Sequence, residues 1–265
     1  LYAAAIIACL VLGFPIYWMF NTSISPRDEL YVYPPTLIHP HPTLDAYFEI
    51  ISGRPIGQWI VNSLLVVGAT TLTAVLTATW AAYSLSRFRA RGSTAIAYLI
   101  LATRLLPATT LIIPLFILMR SLGLIDNLFS LVLADSTVVI PFAVWMLKGY
   151  FDSIPRELEE AALVDGTAYL GALFRITVPL AAPGIVATML YSAILTWDEY
   201  LFARTFLNQA ANWTISLGLG SFRGEYVTYW NDVMAASLIG TIPIIGLFLV
   251  LERHMVSGIT GGAVK

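Results

Sequence analysis

Six stretches of this chain run nearly free of charge for about the 20 residues that a helix needs to cross a bilayer. They lie at 2–20, 60–85, 94–119, 128–150, 182–202 and 233–251. Several contain Pro or Gly, which spanning helices tolerate. Pro107 and Pro114 in the third stretch and Pro141 in the fourth predict kinks or local unwinding. Between the first two, 33–42 is rich in Pro and reads as extended, because Pro fixes its own φ and restricts the residue before it. The spacing of Leu44, Tyr47, Phe48 and Ile51 then predicts a short amphipathic helix over 43–51, lying on the membrane surface.

Composition agrees. Hydrophobic residues make up 58% of the 265 positions and charged residues 11%, against about 25% charged in an average soluble domain. So few charges cannot clothe a water-facing globule of this length, which excludes a soluble enzyme. No basic tract suggests nucleic acid. The one cysteine, Cys9, excludes a disulfide framework and reads as a small lipid-facing or packing residue. The sequence begins at Leu1, and some residues are expected to precede it. Its first apolar run reads as an anchor and not a cleaved signal.

Orientation follows from the basic residues. With the N-terminus in the cytoplasm, the inner loops hold Arg87, Arg89, Arg91, Lys148, Arg156, Arg175, Arg253 and Lys265. The outer loops hold Arg27, Arg54, Arg120, Arg204 and Arg223. The short run Ser86-Arg87-Phe88-Arg89-Ala90-Arg91 fixes the choice. Loops at about 21–58 and 207–230 then lie outside. The aromatics of the second, Trp213, Phe222, Tyr226, Tyr229 and Trp230, read as interfacial anchors or as contacts to a partner protein. His39 and His41, with Asp45 or Glu49, match no metal-ligand spacing and read as loop residues. The sequence contains no H-E-x-x-H, G-x-S-x-G or phosphate-loop pattern, so the chain reads as no enzyme and as binding no metal or cofactor.

The segment at about 148–178 is too rich in helix signals to be a simple turn. Asp152 and Ser153 are N-cap candidates, and Pro155 suits a first turn. Glu157, Glu159 and Glu160 favour the positive end of the helix dipole. Gly166 predicts the stop, and Thr167 a cap for a second short helix over 168–175. Ala161 and Ala162 give the first helix a shallow side that another protein can approach. Its acids would be repelled by an anionic leaflet, so docking fits better than resting on lipid.

These residues also carry a resemblance. Glu160-Ala161-Ala162-Leu163-Val164-Asp165-Gly166, followed by Ile176-Thr177-Val178-Pro179, resembles the EAA motif of permease subunits of binding-protein-dependent ABC importers. Ser153 to Glu160, Pro179-Leu180-Ala181-Ala182-Pro183-Gly184 and Thr196-Trp197-Asp198-Glu199-Tyr200 are similar to the carbohydrate-uptake branch, typified by the smaller permease of the maltose transporter. So are Ala82 to Phe88, Leu122 to Asn127 and the terminal Gly261-Gly262-Ala263-Val264-Lys265. Two positions depart: Asp198 stands where many members have Asn, and Ala90 where an aromatic is usual.

The resemblance implies an all-α, polytopic membrane protein with six transmembrane helices in the type I ABC importer permease fold, with residues 1–265 as one permease domain. It implies a permease subunit of an ATP-driven importer of sugars (mono-, di- or oligosaccharides) in the inner or plasma membrane of a bacterium or archaeon. Glu160, Ala161, Ala162, Asp165 and Gly166 would form the coupling helix that docks on an ATPase subunit. ATP and Mg would be bound by that ATPase dimer, and this chain would carry no cofactor. The other expected partners are a second permease, making a heterodimer or else a homodimer, and an extracytoplasmic solute-binding protein reached by 208–229. Another cargo (a polyol, glycerol phosphate or an amino acid) and an ion-coupled secondary transporter are the alternatives.

Ionisable groups within spans normally face protein or water. Arg104 is a candidate for a structural intramembrane charge, and Asp135 for either a fixed pair or a pathway group; the two are candidates to pair with each other. Trp197, Asp198 and Asn62 are candidates for the pathway or outer gate, since sugars are held by aromatic faces with carboxylate or amide groups. For Asn62, helix–helix hydrogen bonding is the competing role.

Overall fold

The computed structural model describes residues 2–88, 92–224 and 227–263, with side chains as far as Glu252. Arg89, Ala90, Arg91, Tyr226, Val264 and Lys265, and the side chains of Arg253, His254 and 261–263, therefore lie outside the described part. The helices are α1 (Tyr2–Ser23), α2 (Asp45–Gly53), α3 (Ile56–Arg87), α4 (Ser93–Ala102), α5 (Ala108–Ser121), α6 (Leu128–Ser153), α7 (Glu157–Val164), α8 (Tyr169–Ala172), α9 (Val178–Leu180), α10 (Ala182–Trp197), α11 (Leu201–Phe206), α12 (Ile215–Gly220) and α13 (Trp230–Ala263). No strand occurs among the described residues.

Among the described residues four helices, α1, α3, α6 and α13, are long and apolar enough to span a membrane, and the number is up to six if each of two bent pairs is one span. No residue in the apolar window of α1 is buried. Such a surface is stable only against lipid or another protein.

The third apolar stretch is not one helix. After α4 a 3-10 turn at Thr103–Leu105 leads to extended Leu106, and α5 sets off at 92°. Pro107 is the cause, since it lacks an N–H and disfavours the helical region for Leu106. Pro114 and Pro141 do not interrupt their helices: α5 and α6 run on through them, losing one backbone bond each. The fifth stretch ends at Trp197, earlier than the predicted 202. It is preceded by a 76° bend between Tyr169–Leu180 and α10, placed by Ala181 just ahead of Pro183.

By contacts the chain divides into two compact units. The larger comprises 63–208 and 245–265. Its core gathers Ala78, Ala82 and Tyr83 of α3 with Ala143, Val144, Leu147 and Phe151 of α6, and Leu173 and Ala181. The alanines let the helices approach closely. Gly184 serves the same end, since a Cβ there would fall 2.2 Å from the Tyr150 ring. The turn after α5 is a Schellman cap. Gly123 has φ 70°, Leu124 N–H donates to Met119 O and Gly123 N–H to Arg120 O. Asn127 caps α6 through Phe129 N–H, and Asp126 accepts from Asn208 N–H.

The smaller unit comprises 1–62 and 209–244. The predicted amphipathic helix is α2. Leu44, Phe48 and Ile51 are exposed, while Ala46 and Ile50 are buried and Tyr47 hydrogen-bonds Ser23. Two of the aromatics expected in the second outer loop are not surface anchors. Trp213 lies against Trp59, centroids 5.8 Å apart, and Phe222 meets the same ring edge-on. Trp59 is fully buried and its Nε1 donates to Ala210 O. A single central indole organises this loop, a long-range arrangement that composition does not reveal. Tyr229 and Trp230 are exposed. His39 lies between Glu29 and Ser25.

Candidate functional site

The segment 148–180 differs from the predicted hairpin in its start and in its second helix. Asp152 and Ser153 cap nothing: α6 continues through both, because Ser153 bonds back to Tyr150 O and Asp152 accepts from Lys148 and Ser86. The first short helix, α7, begins after Pro155 with three acids in its first turn. Its end is as predicted. Gly166 has φ 86°, its N–H donates to Leu163 O, and Thr167 N–H donates to Ala162 O. That is a Schellman motif, in which Gly takes the left-handed position at least cost. Thr167 is no side-chain cap; α8 starts without one. A π-helical turn at Leu173–Thr177 then carries the chain past Arg175, the predicted end.

Of the five residues expected to couple to an ATPase, Glu160, Ala161, Asp165 and Gly166 are exposed and Ala162 is half-buried. Exposed Leu158, Val164, Tyr169 and Leu170 add apolar surface to the same segment. A surface of small, acidic and apolar groups on a short hairpin can seat a partner protein.

Beneath it, Glu159 is buried. Arg87 Nε donates to its Oε1 at 2.7 Å, and the two side chains are each 6% exposed. Tyr83 Oη donates to Oε2 at 3.0 Å, and the Thr177 hydroxyl donates to Oε1. Arg87 also donates to Ile154 O. Neighbouring Ser86 donates to Asp152 Oδ1 at 2.6 Å and accepts from Arg156 through its carbonyl.

The membrane candidates separate. Arg104 sits at the break before α5 and donates to Val138 O and the Tyr191 hydroxyl. It does not pair with Asp135. The break aims its guanidinium at a carbonyl and a phenol instead, and both are neutral acceptors. Asp135 is buried and lines a cavity of about 100 Å³ with Ala108, Thr196, Glu199 and Phe202. Thr196 Oγ1 is buried there without a hydrogen-bond partner. Glu199 accepts from Phe202 N–H and Ala203 N–H, and so fixes the start of α11. Trp197 and Asp198 diverge: Trp197 is buried and Asp198 is exposed, at the end of α10. In the smaller unit, Asn62 donates to Ala211 O and Trp213 O and accepts from Gln58. Its NH2 group holds 211–213, and its oxygen is bonded within α3.

Residues 44–256 match the family described as binding-protein-dependent transport system inner membrane component. The chain belongs to that family. It is 36% identical over 95% of its length, and 88% of the relative's, to the sulfoquinovosyl glycerol transport system permease protein SmoH of Agrobacterium fabrum. It is 31% identical over 98% of its length, and 94% of the relative's, to the trehalose/maltose transport system permease protein MalG of Thermococcus litoralis. Its fold is that of a bacterial ABC transporter involved in import of the acidic polysaccharide alginate, with a TM-score of 0.79 over 96% of this chain and 94% of that one, at 24% identity.

As an inner membrane permease component of an ABC transporter, the chain is a transporter part and a multi-pass membrane protein. Two sets of polar residues in this permease escape a reading of its sequence. Glu159 looks like one more acid in a first turn, and only its angular position on α7, one residue from Glu160, turns it inward. Arg87 reads as one of three topogenic charges in the run 87–91, and nothing in that run marks it as the one that turns inward. Glu199, beside Asp198, is the acid that reaches the Asp135 cavity.

Proposed function

We propose that this permease is a membrane subunit of an ATP-driven importer of carbohydrate, in the inner or plasma membrane of a bacterium or archaeon. The observation that carries the reading is near full-length similarity, at 30% identity or more, to permeases named for glycosides as different as sulfoquinovosyl glycerol and trehalose/maltose. Residues 1–265 act in it as one permease domain, with the N-terminus and the 148–178 segment in the cytoplasm. Glu160, Ala161, Ala162, Asp165 and Gly166 dock in a cleft of a separate ATPase subunit, one of two, which bind ATP and Mg. The exposed small and acidic face of α7 and the sharp stop at Gly166 support that role. A second, different permease completes the pathway, and an extracytoplasmic solute-binding protein delivers the sugar. Asp135, with Thr196 and Glu199 beside it, is the pathway group. Arg104 and Asn62 hold structure, and Trp197 and Asp198 flank the outer end of α10.

The test is ATPase activity of the assembled complex with its binding protein across a panel of mono-, di- and oligosaccharides, polyols and amino acids. Stimulation by at least one sugar, with none by polyols or amino acids, is expected. Stimulation by amino acids alone would overturn the carbohydrate reading. Glu160→Lys should lower ATPase co-purification and uptake together; unchanged assembly with unchanged uptake would remove Glu160 from the docking face.

A further inference from the structure

The exposed face of α7 is joined to a spanning helix by one buried ionic cluster. Tyr83, Ser86 and Arg87 occupy one face of the last turns of α3, since positions three and four apart line up on a helix. Each reaches into the 148–177 segment: Tyr83 and Arg87 to Glu159, Arg87 to Ile154 O, and Ser86 to Asp152. The π-helical turn at Leu173–Thr177 brings a fourth group, the fully buried Thr177 hydroxyl, onto the same carboxylate. Such turns are rare and concentrate at functional positions. Both oxygens of Glu159 are therefore held, by donors from two distant parts of the chain. A buried charge pair adds little to stability compared with well-packed apolar side chains, so its presence calls for a reason other than stability. Direction supplies one. Charged hydrogen bonds are short and directional, and this set ties α7 to α3 at the residue next to Glu160.

We propose that the Arg87–Glu159 pair is a positioning latch that makes α7 and the inner end of α3 move as one body, so that displacement of the docked hairpin is delivered to a spanning helix. Arg87, Glu159, Tyr83 and Thr177 are positioning residues; none needs to touch the ATPase or the solute. This rests on the ATP-driven importer reading, and the experiment separates the two.

The complete transporter is reconstituted with Glu159→Gln, with Arg87→Met/Glu159→Met together, and with Thr177→Val. Two quantities are read: solute taken up per ATP hydrolysed, and amide hydrogen exchange of 83–87 and 157–164. The double variant removes both charges and keeps apolar bulk, so folding should survive. It is expected to assemble and hydrolyse ATP but to move about tenfold less solute per ATP, inside the range usual for coupling between sites. Exchange at 157–164 should rise without a matching rise at 83–87. Thr177→Val should give a smaller change of the same kind. An unchanged transport ratio in the double variant overturns the latch, as does failure of all three variants to assemble, which would make the cluster a folding element only. A wild-type complex that hydrolyses ATP without taking up any sugar would strike the importer reading instead, and the latch is then decided by the exchange data alone.

Discussion

Arg87 and Arg27 each bond across long stretches of sequence, but in different surroundings. Arg87 and Glu159 are sealed from solvent at 6% exposure each, with Tyr83 and Thr177 completing the carboxylate's bonds. Arg27 in the smaller unit reaches Glu49 and Asp232, lies over the Tyr229 ring, and stays 41% exposed, with Glu49 at 51%. Burial works to lower the Arg27 pKa, yet Asp232 and Glu49 outweigh it and hold the guanidinium above its ordinary value. The difference teaches where charge governs structure. In the sealed cluster each partner depends on the other, because neither finds water if left alone. In the other, water reaches Arg27 and Glu49, although Asp232 is only 14% exposed, and packing around Trp59 holds the unit.

Four substitutions break or sharpen that contrast, in descending order of effect. Arg87→Ala leaves the Glu159 carboxylate buried and unpaired and should cost about 3–5 kcal/mol, read as lost yield of folded permease and a lower thermal inactivation temperature in detergent. Stability within error of wild type would mean that water reaches Glu159.

Gly218→Ala tests whether packing carries the smaller unit. Its Cβ would lie 2.1 Å from the Trp59 ring, which is pinned by its bond to Ala210. Overpacking of this kind costs about 1–3 kcal/mol, measurable as increased protease sensitivity of 209–220. The same digestion of Arg27→Gln should show no increase.

Gly166→Ala meets open space, so only the left-handed backbone opposes it, at about 1–2 kcal/mol. Amide exchange in α7 should quicken while the Arg87–Glu159 contact survives. Loss of that contact would mean that the Schellman stop, not the ion pair, positions the hairpin.

Arg27→Gln should be the mildest, below about 1 kcal/mol and smaller still in high salt. A thermal shift larger than that of Gly218→Ala would reverse the contrast drawn above.

Much of the architecture is legible along the chain. The spans follow from apolar length against bilayer thickness, and the stop at Gly166 from a residue whose backbone preference is its own. Pro107, Pro114 and Pro141 look alike in sequence, yet only Pro107 marks a break, because Leu106 is released into an extended conformation and the neighbouring helices accept the turn. Asp152 and Ser153 have the composition of a cap and lie inside α6, since the helix before them had reason to continue. Asp198, the departure from the usual Asn, is exposed, while Glu199 beside it faces the cavity with Asp135.

Sequence by itself determined that this chain is a helical membrane protein, which stretches are apolar enough to cross, and which short hairpin stands out between them. Those are matters of local composition and backbone preference, settled within a few turns of helix. Only the tertiary structure decided which of two adjacent glutamates is buried, what Arg104 bonds, and which acids share a cavity. These choices depend on side chains tens of residues apart, such as Tyr83 and Glu159 or Arg104 and Tyr191. Desolvation makes them decisive, because a charge withdrawn from water must find its partners wherever the fold has placed them.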